Sequence, residues 1–341
     1  VLILVSLALM DSMNDLFGFY FDDFIQYDAD VYFTTPVPQS EAQAVAQQHV
    51  VAQADPYLYV PSKYVKDGET LGEGLLQALP QDTQLLGFYD LKGNRVQLPD
   101  QGVFLSDYFH SGLGIDEGDT ITLETAAGDL DVEVKGFVKQ FGGLSMFANL
   151  AWVQQVTGTD LVSGTLVAST GAQGEDLRKA LLEVDGVSSV EIPEFTREMM
   201  RSELMELMYV FAGMMILFAA AMALALIYNT VSIAYLERER EVSVMVALGS
   251  HLKRIAGMFT MENIIVTLLA VIPGLLAGYL LSVFMMELFS TEFFSAPAVI
   301  RPISYVITVL GILVVVLLAE IPSLRRARHM DVASMIRERT H

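Results

Sequence analysis

Glu239, Arg240 and Glu241 sit in the block Tyr235 to Ser250 (YLEREREVSVMVALGS), a charged stretch between two long apolar runs. The chemistry open to them is ionic docking, because charges so placed must lie at a membrane surface, where they can face an aqueous partner. Val242, Met245 and Leu248 fall at i, i+3 and i+6, with Val246, Ala247 and Gly249 beside them. That spacing predicts a short amphipathic helix along the leaflet with a charged start. Gly249 before Ser250 suits a helix stop, since glycine readily takes the left-handed conformation. The same pattern also serves a salt-laced interfacial turn that only anchors two spans, so spacing leaves both readings open.

Catalytic chemistry finds no comparable grouping. His49, His110, His251, His329 and His341 are scattered without metal-ligand spacing, and no G-x-S-x-G elbow occurs. Asp22, Asp23, Asp28 and Asp30 lack the glycine-punctuated loop of a calcium site. With no G-x-x-x-x-G-K-[ST] motif, the chain is not expected to hydrolyse ATP. It contains no cysteine, which removes disulfides and thiolate metal sites. The expectation is a protein that is not an enzyme and has no metal or cofactor of its own.

The elements that position the charged block are apolar helices. Leu207 to Tyr235 has no acidic or basic residue and makes about 43 Å of helix against a hydrocarbon core of roughly 30 Å. Ile255 to Met286 and Ile303 to Ile321 repeat the signal, so spans are expected near 207–235, 255–286 and 303–321, joined by a connector at 236–254. The first ten residues, VLILVSLALM, are too few to span and lack a basic flank. They read as the outer half of a first span whose beginning is missing, with a stalk to residue 29. Glu262 lies inside the second complete span, about 12 Å along the helix from Arg254. An acid there invites a functional reading, either coupling and packing or snorkelling to the interface. Glu320 reads as a boundary marker, and Pro273-Gly274 as a kink.

Charge orients the chain. Of the net −21, all comes from Asp11 to Glu203, with 31 acids and 10 bases; the remainder has 10 of each. So acidic a surplus disfavours nucleic acid as a partner. Arg325, Arg326, Arg328, Arg337 and Arg339 crowd the C-terminal tail, whereas the loop before the last span carries Glu287, Glu292 and one Arg301. Basic short loops stay inside, so the tail and connector are expected in the cytoplasm and residues 30–195 outside it.

That outer part reads as α+β. Expected elements are a strand near Val31–Phe33, a turn at Pro36 and Pro38, and a helix over Glu41–Val51. Thr120–Thr125 and Asp131–Val138 alternate as a hairpin joined by Ala126-Ala127-Gly128-Asp129. Gly164–Ala168, Glu175–Val184 and Val187–Ile192 form a βαβ unit. Pro193 then opens a helix running without a break into the span at 207.

YLERERE followed by VSVMVALG, HLKRI and Glu262, together with EIPSLRRARHMDVASMIRER at 320–339, resembles the FtsX-like (MacB and LolC type) ABC transporter permease family. VFLSDYFHSGLGIDEGDTITL is similar to a segment of that family's extracytoplasmic domain, and Ser323 departs from its usual Ala. The resemblance implies a MacB-type α+β outer domain (30–195) and an FtsX-like permease domain (196–341) whose connector is a coupling helix for a cytoplasmic ABC ATPase. It also implies that ATP is bound by that partner, that a second permease half or subunit completes the unit, and that the protein is multi-pass. Glu239, Arg240, Glu241, Ala247, Leu248, Gly249 and Glu262 are the residues it points to. DSMNDLF and IQYDADVYF resemble the second half of long duplicated members. Export, lipid or lipoprotein extraction, and mechanotransmission all fit, as does a non-transporting regulator that activates a cell-wall hydrolase or senses an external ligand.

Overall fold

A computed structural model describes residues 1–126, 128–140, 144–238, 241, 244–245, 248, 250, 252–289 and 298–328. The chain divides into two units: one of residues 1–12, 207–285 and 298–341, the other of residues 13–206 and 286–297.

The apolar unit is helical because its residues leave no alternative. In hydrocarbon every backbone N–H and C=O must be satisfied within the segment. Its helices are α7 (Glu206–Glu237), α8 (Leu252–Phe289) and α9 (Pro302–Arg328), with the first turns of α1 (Leu2–Gly18) packed beside them; α2 (Gln39–Ala46), α3 (Asp107–Ser111), α4 (Leu150–Thr157), α5 (Gly174–Leu182) and α6 (Pro193–Met199) belong to the other unit. Among the described residues four helices are long and apolar enough to cross a membrane: Leu2–Phe24, Pro193–Thr230, Thr260–Leu288 and Pro302–Ala319. The helix that starts in the first ten residues runs on past Asp11 and Asp15 and adds a π-helical turn, Phe19–Phe24. Pro273 lies within α8, and the helix continues beyond it. Where α1 meets α8, a side chain at Gly278 would press on Leu4, so glycine sets their close approach.

The second unit is built on one nine-stranded sheet. Its strands are β1 (Ala29–Pro38), β2 (Val51–Lys66), β3 (Glu69–Leu79), β4 (Val103–Ser106), β5 (Thr120–Thr125), β6 (Gly128–Val138), β7 (Ser145–Asn149), β8 (Leu161–Ser169) and β9 (Val187–Glu191). The order is β3-β7-β4-β6-β5-β2-β8-β1-β9, and β3 also pairs with β2, so the first six close into a ring. Alternation fills the ring: Ile121 and Leu123 of β5 and Val132 and Val134 of β6 are buried with Leu76, Val103 and Met146. β6 begins at Gly128, paired to Thr125, three residues earlier than its alternation suggests.

β2 is long enough to serve two sheets. Residues 51–57 pair with β8, and from Leu58 it pairs with β3 across the turn Asp67-Gly68, where both residues have positive φ. In the outer strands, β1 runs antiparallel to both β8 and β9, so the expected βαβ unit closes around an intervening strand, with α5 (Gly174–Leu182) between. Pro36 and Pro38 lie inside β1 rather than in a turn; the ladder to β8 breaks register between Tyr32 and Val37, where missing N–H donors do no harm. The helix expected over Glu41–Val51 is α2 (Gln39–Ala46), and Val51 already starts β2.

A buried carboxylate organises the junction of ring and outer strands. Tyr57 in β2 donates its hydroxyl to Asp30 Oδ1 in β1 at 2.7 Å. The ring reaches across β8 only because residue 164 is glycine, where a Cβ would lie 2.3 Å from Tyr57 Oη and 2.5 Å from the Val31 carbonyl. Burial pushes the Asp30 carboxyl up to about 7; hydroxyl bonds from Tyr57 and Tyr32 oppose the shift and the charge of Glu191 adds to it.

Two outcomes follow from this junction, both readable from Trp152, the chain's single tryptophan, which packs partly buried against the core. Gly164→Ala should destabilise the second unit by about 1–3 kcal/mol, because overpacking forces Tyr57 off its rotamer; an unchanged fluorescence melt would refute the crowding. Because the folded pKa of Asp30 is raised, its contribution to stability is full below about 4 and lost as pH rises towards 7. The Asp30→Asn variant should therefore gain on the wild type over that interval and level off above it. A pH-independent difference between the two melts would contradict the raised value.

Candidate functional site

The connector between α7 and α8 is closed at its base by a two-pronged ion pair. Arg238, one residue past α7, donates through Nη1 to Glu262 Oε2 at 2.7 Å and through Nη2 to Glu262 Oε1 at 3.0 Å. A planar guanidinium matches both carboxylate oxygens at once, a geometry lysine cannot supply. The pairing is long-range only in sequence. α7 is apolar to its last turn, so the first base after it lies at the helix end, while Glu262 sits in the third turn of α8 and its side chain returns to the same level. An acid within an apolar helix is costly unless partnered, and here its partner is Arg238, directly after the preceding helix.

In the connector Glu241, Val244 and Met245 are helical and Leu248 lies in a turn. Leu248 N–H donates to the Val244 carbonyl at 3.0 Å, and Ser250 N–H to the Met245 carbonyl at 3.0 Å. Glu241 is exposed, and so are Val244 and Leu248, the last at 81%. Of the residues expected to dock a partner, the structure places Glu241 and Leu248 on this exposed segment and Glu262 in the ion pair beneath it. Glu239, Arg240, Ala247 and Gly249 lie outside the described residues, as does Val242. Arg238 was not singled out by sequence reasoning. The signal was present in the rule that an acid in a span needs a base at its own depth.

A second polar contact fixes the outer helices of this unit. Asp11 of α1, buried in the bundle, accepts from the Arg301 N–H at 3.0 Å and from the Ser304 hydroxyl at 2.5 Å. Ser12 accepts from the Val299 N–H at 2.9 Å and donates to the Val299 carbonyl. A carboxylate thus satisfies donors at the N-terminus of α9, where the helix dipole favours negative charge. Pro302 at the first position removes one donor that would otherwise need a partner. These contacts were also missed, because an acid after ten apolar residues was taken as the end of the bilayer segment.

In the other unit three of the four aspartates considered for calcium have separate partners. Asp22 pairs with Arg197 at 2.7 Å, Asp28 accepts from the Ser169 N–H, and Asp30 accepts from Tyr57. Among the described residues no three His, Asp or Glu side chains converge as a metal site. Arg197 also lies 5.8 Å from the Phe21 ring centre, so α6 (Pro193–Met199) is fastened to the π-helical turn after α1 by charge and by cation–π attraction. A second π-helical turn, Met200–Met205, follows α6.

Reversing charge at either end of the closing pair should lower the thermal midpoint of the protein in detergent by several degrees, as Arg238→Glu or Glu262→Arg alone. The double swap should restore most of the loss. Additive damage in the double variant would show that the pair does not act as a unit.

No curated protein matches the chain in sequence. In structure it is similar to the periplasmic region of MacB from Actinobacillus actinomycetemcomitans, with 13% identity, 52% of this chain and 94% of that one covered, and a TM-score of 0.37. It is also similar to the extracellular domain of the noncanonic ABC-type transporter YknZ from Gram-positive bacteria, with 14% identity, 48% and 97% covered, and a TM-score of 0.33. The family model for the FtsX-like permease C-terminal domain matches residues 213–332. That stretch holds the connector, its closing ion pair and the last two apolar helices, and over it the chain is similar to the FtsX-like permease C-terminal domain.

Proposed function

We propose that this chain is the membrane permease component of an ABC transporter complex, driven by a separate cytoplasmic ATPase that docks on the 236–254 connector. The observation that carries the reading is the stapled connector itself. Glu241 and the 81% exposed Leu248 present a charge and an apolar side chain on the connector, and a fork between Arg238 and Glu262 ties the end of α7 to α8. A partner that seats Leu248 in a pocket gains apolar burial, and the surrounding charges set orientation and encounter rate. Glu239, Arg240, Ala247 and Gly249 complete the proposed contact, with Glu262 bracing it from below.

Energy enters as displacement rather than as chemistry on this chain. A loose loop would absorb a push, whereas a connector closed at its base by Arg238 and Glu262 moves both helices together. α7 continues in sequence from α6 through the Met200–Met205 turn, so its motion reaches the second unit along one backbone. The π-helical turns there and at Phe19–Phe24 are the places where such a helix can shift its register, as π-turns interrupt the regular ladder. The acidic domain at residues 30–195, within the second unit, works outside the cytoplasm and the basic C-terminal tail inside it. ATP is bound and cleaved by the partner ATPase, and a second permease half or subunit completes the assembly. Export, lipid or lipoprotein extraction, and mechanical transmission to an outside partner all use this same movement.

Glu241→Lys combined with Leu248→Glu should abolish the stimulation of the partner's ATP hydrolysis in a reconstituted complex while leaving the Trp152 melt unchanged. Full stimulation by the double variant would sink the assignment of the docking surface.

A further inference from the structure

The tyrosine-lined cavity beside Asp30 has no part in the coupling described above, yet it has the makings of a ligand site. It is about 170 Å³ in volume, and Tyr20, Tyr27, Tyr59, Asp30, Gln77 and Gln140 contribute to its wall. This is below the range of cavities for drug-sized molecules, so the space suits a ligand of few non-hydrogen atoms.

We propose that this cavity binds a small organic ammonium ion bearing N–H donors, with Asp30 as its counter-ion and the tyrosine rings as its walls. Charge selects the class. Asp30 is 3% exposed, no lysine or arginine among the described residues forms an ion pair with it, and Glu191 adds to the negative potential. A buried carboxylate without a cation is costly, and an anionic ligand would worsen the balance. Hydrogen-bond accounting narrows the class further. Two tyrosine hydroxyls leave acceptor capacity on a carboxylate, and Gln140 Oε1 is a buried acceptor without a partner among the described residues. Both call for a donor. One carboxylate is too few for calcium, which takes six to eight oxygens, whereas an ammonium ion gains from the π-faces of tyrosine as well as from the oxygens. The raised pKa of Asp30 agrees with a site lacking its cation. The groups acting on this carboxylate are Tyr32, Tyr57 and Glu191 by bond or charge, with Tyr20, Tyr27 and Tyr59 about it.

Such an ammonium group belongs either to a free amine or to an amino phospholipid headgroup. Titration calorimetry on the full chain in maltoside detergent at pH 8 tests both sources, using ethanolamine hydrochloride and glycerophosphoethanolamine against potassium chloride at equal ionic strength. One-to-one binding of ethanolamine is expected, with none of potassium, and tetramethylammonium, which has no N–H donor, should bind about tenfold more weakly or worse. Tighter binding of glycerophosphoethanolamine assigns the site to a lipid headgroup, and weaker binding assigns it to a free amine. Asp30→Asn should cost about tenfold to a hundredfold in affinity, as expected for losing a charge-assisted bond. Leu75→Trp should also block the site; Leu75 lines the same cavity at 47% exposure, so this variant leaves the Asp30 bonds in place. Absence of binding by the wild-type chain, or equal affinity in both variants, overturns the proposal.

Discussion

The fork between Arg238 and Glu262 is the contact on which the arrangement of α7 and α8 depends. Apolar helices in a bilayer have little preference for how deep or at what rotation they sit, because lipid tails are as apolar as their side chains. A single acid changes that. Once Glu262 must find a guanidinium at its own level, α7 and α8 are fixed in height and the connector becomes a closed loop of defined length.

The same problem recurs twice with different solutions. At Asp11 an acid within apolar surroundings is satisfied by the N–H of Arg301 and the hydroxyl of Ser304, which holds α1 against the start of α9. At Asp30 the donors are tyrosine hydroxyls, and the acid joins β1 to β2 where the strand leaves one sheet for another. A guanidinium, a helix N-terminus and a pair of phenols thus each make one carboxylate tolerable, and each fixes the relation between two elements. They differ in completeness. The Glu262 carboxylate is paired with a full charge, whereas Asp30 is pushed up by burial, which the hydroxyl bonds of Tyr57 and Tyr32 offset only in part.

Much of the sheet was legible in part. The β5–β6 hairpin and the β8–α5–β9 unit follow from alternation and amphipathic spacing, which report burial directly. The longest hairpin, β2 with β3, was missed although Asp67-Gly68 is a strong turn signal, because Pro56 and Pro61 argue against a strand. Those prolines are tolerated since β2 bends from one partner to another. Closure of the ring through the β3–β2 and β3–β7 pairings has no local signature at all, since it joins residues far apart in sequence.

Sequence alone determined the apolar helices, the exposed charged connector, the acidic surplus of the second unit and the α+β character of that unit. These depend on composition and period, which each segment carries within itself. Tertiary structure decided the partners: Arg238 for Glu262, the start of α9 for Asp11, Tyr57 for Asp30 and Gly164 as the gap that admits the ring. A carboxylate's need for a donor is written in its own chemistry, but which donor answers depends on where the folded backbone brings distant residues within about 3 Å.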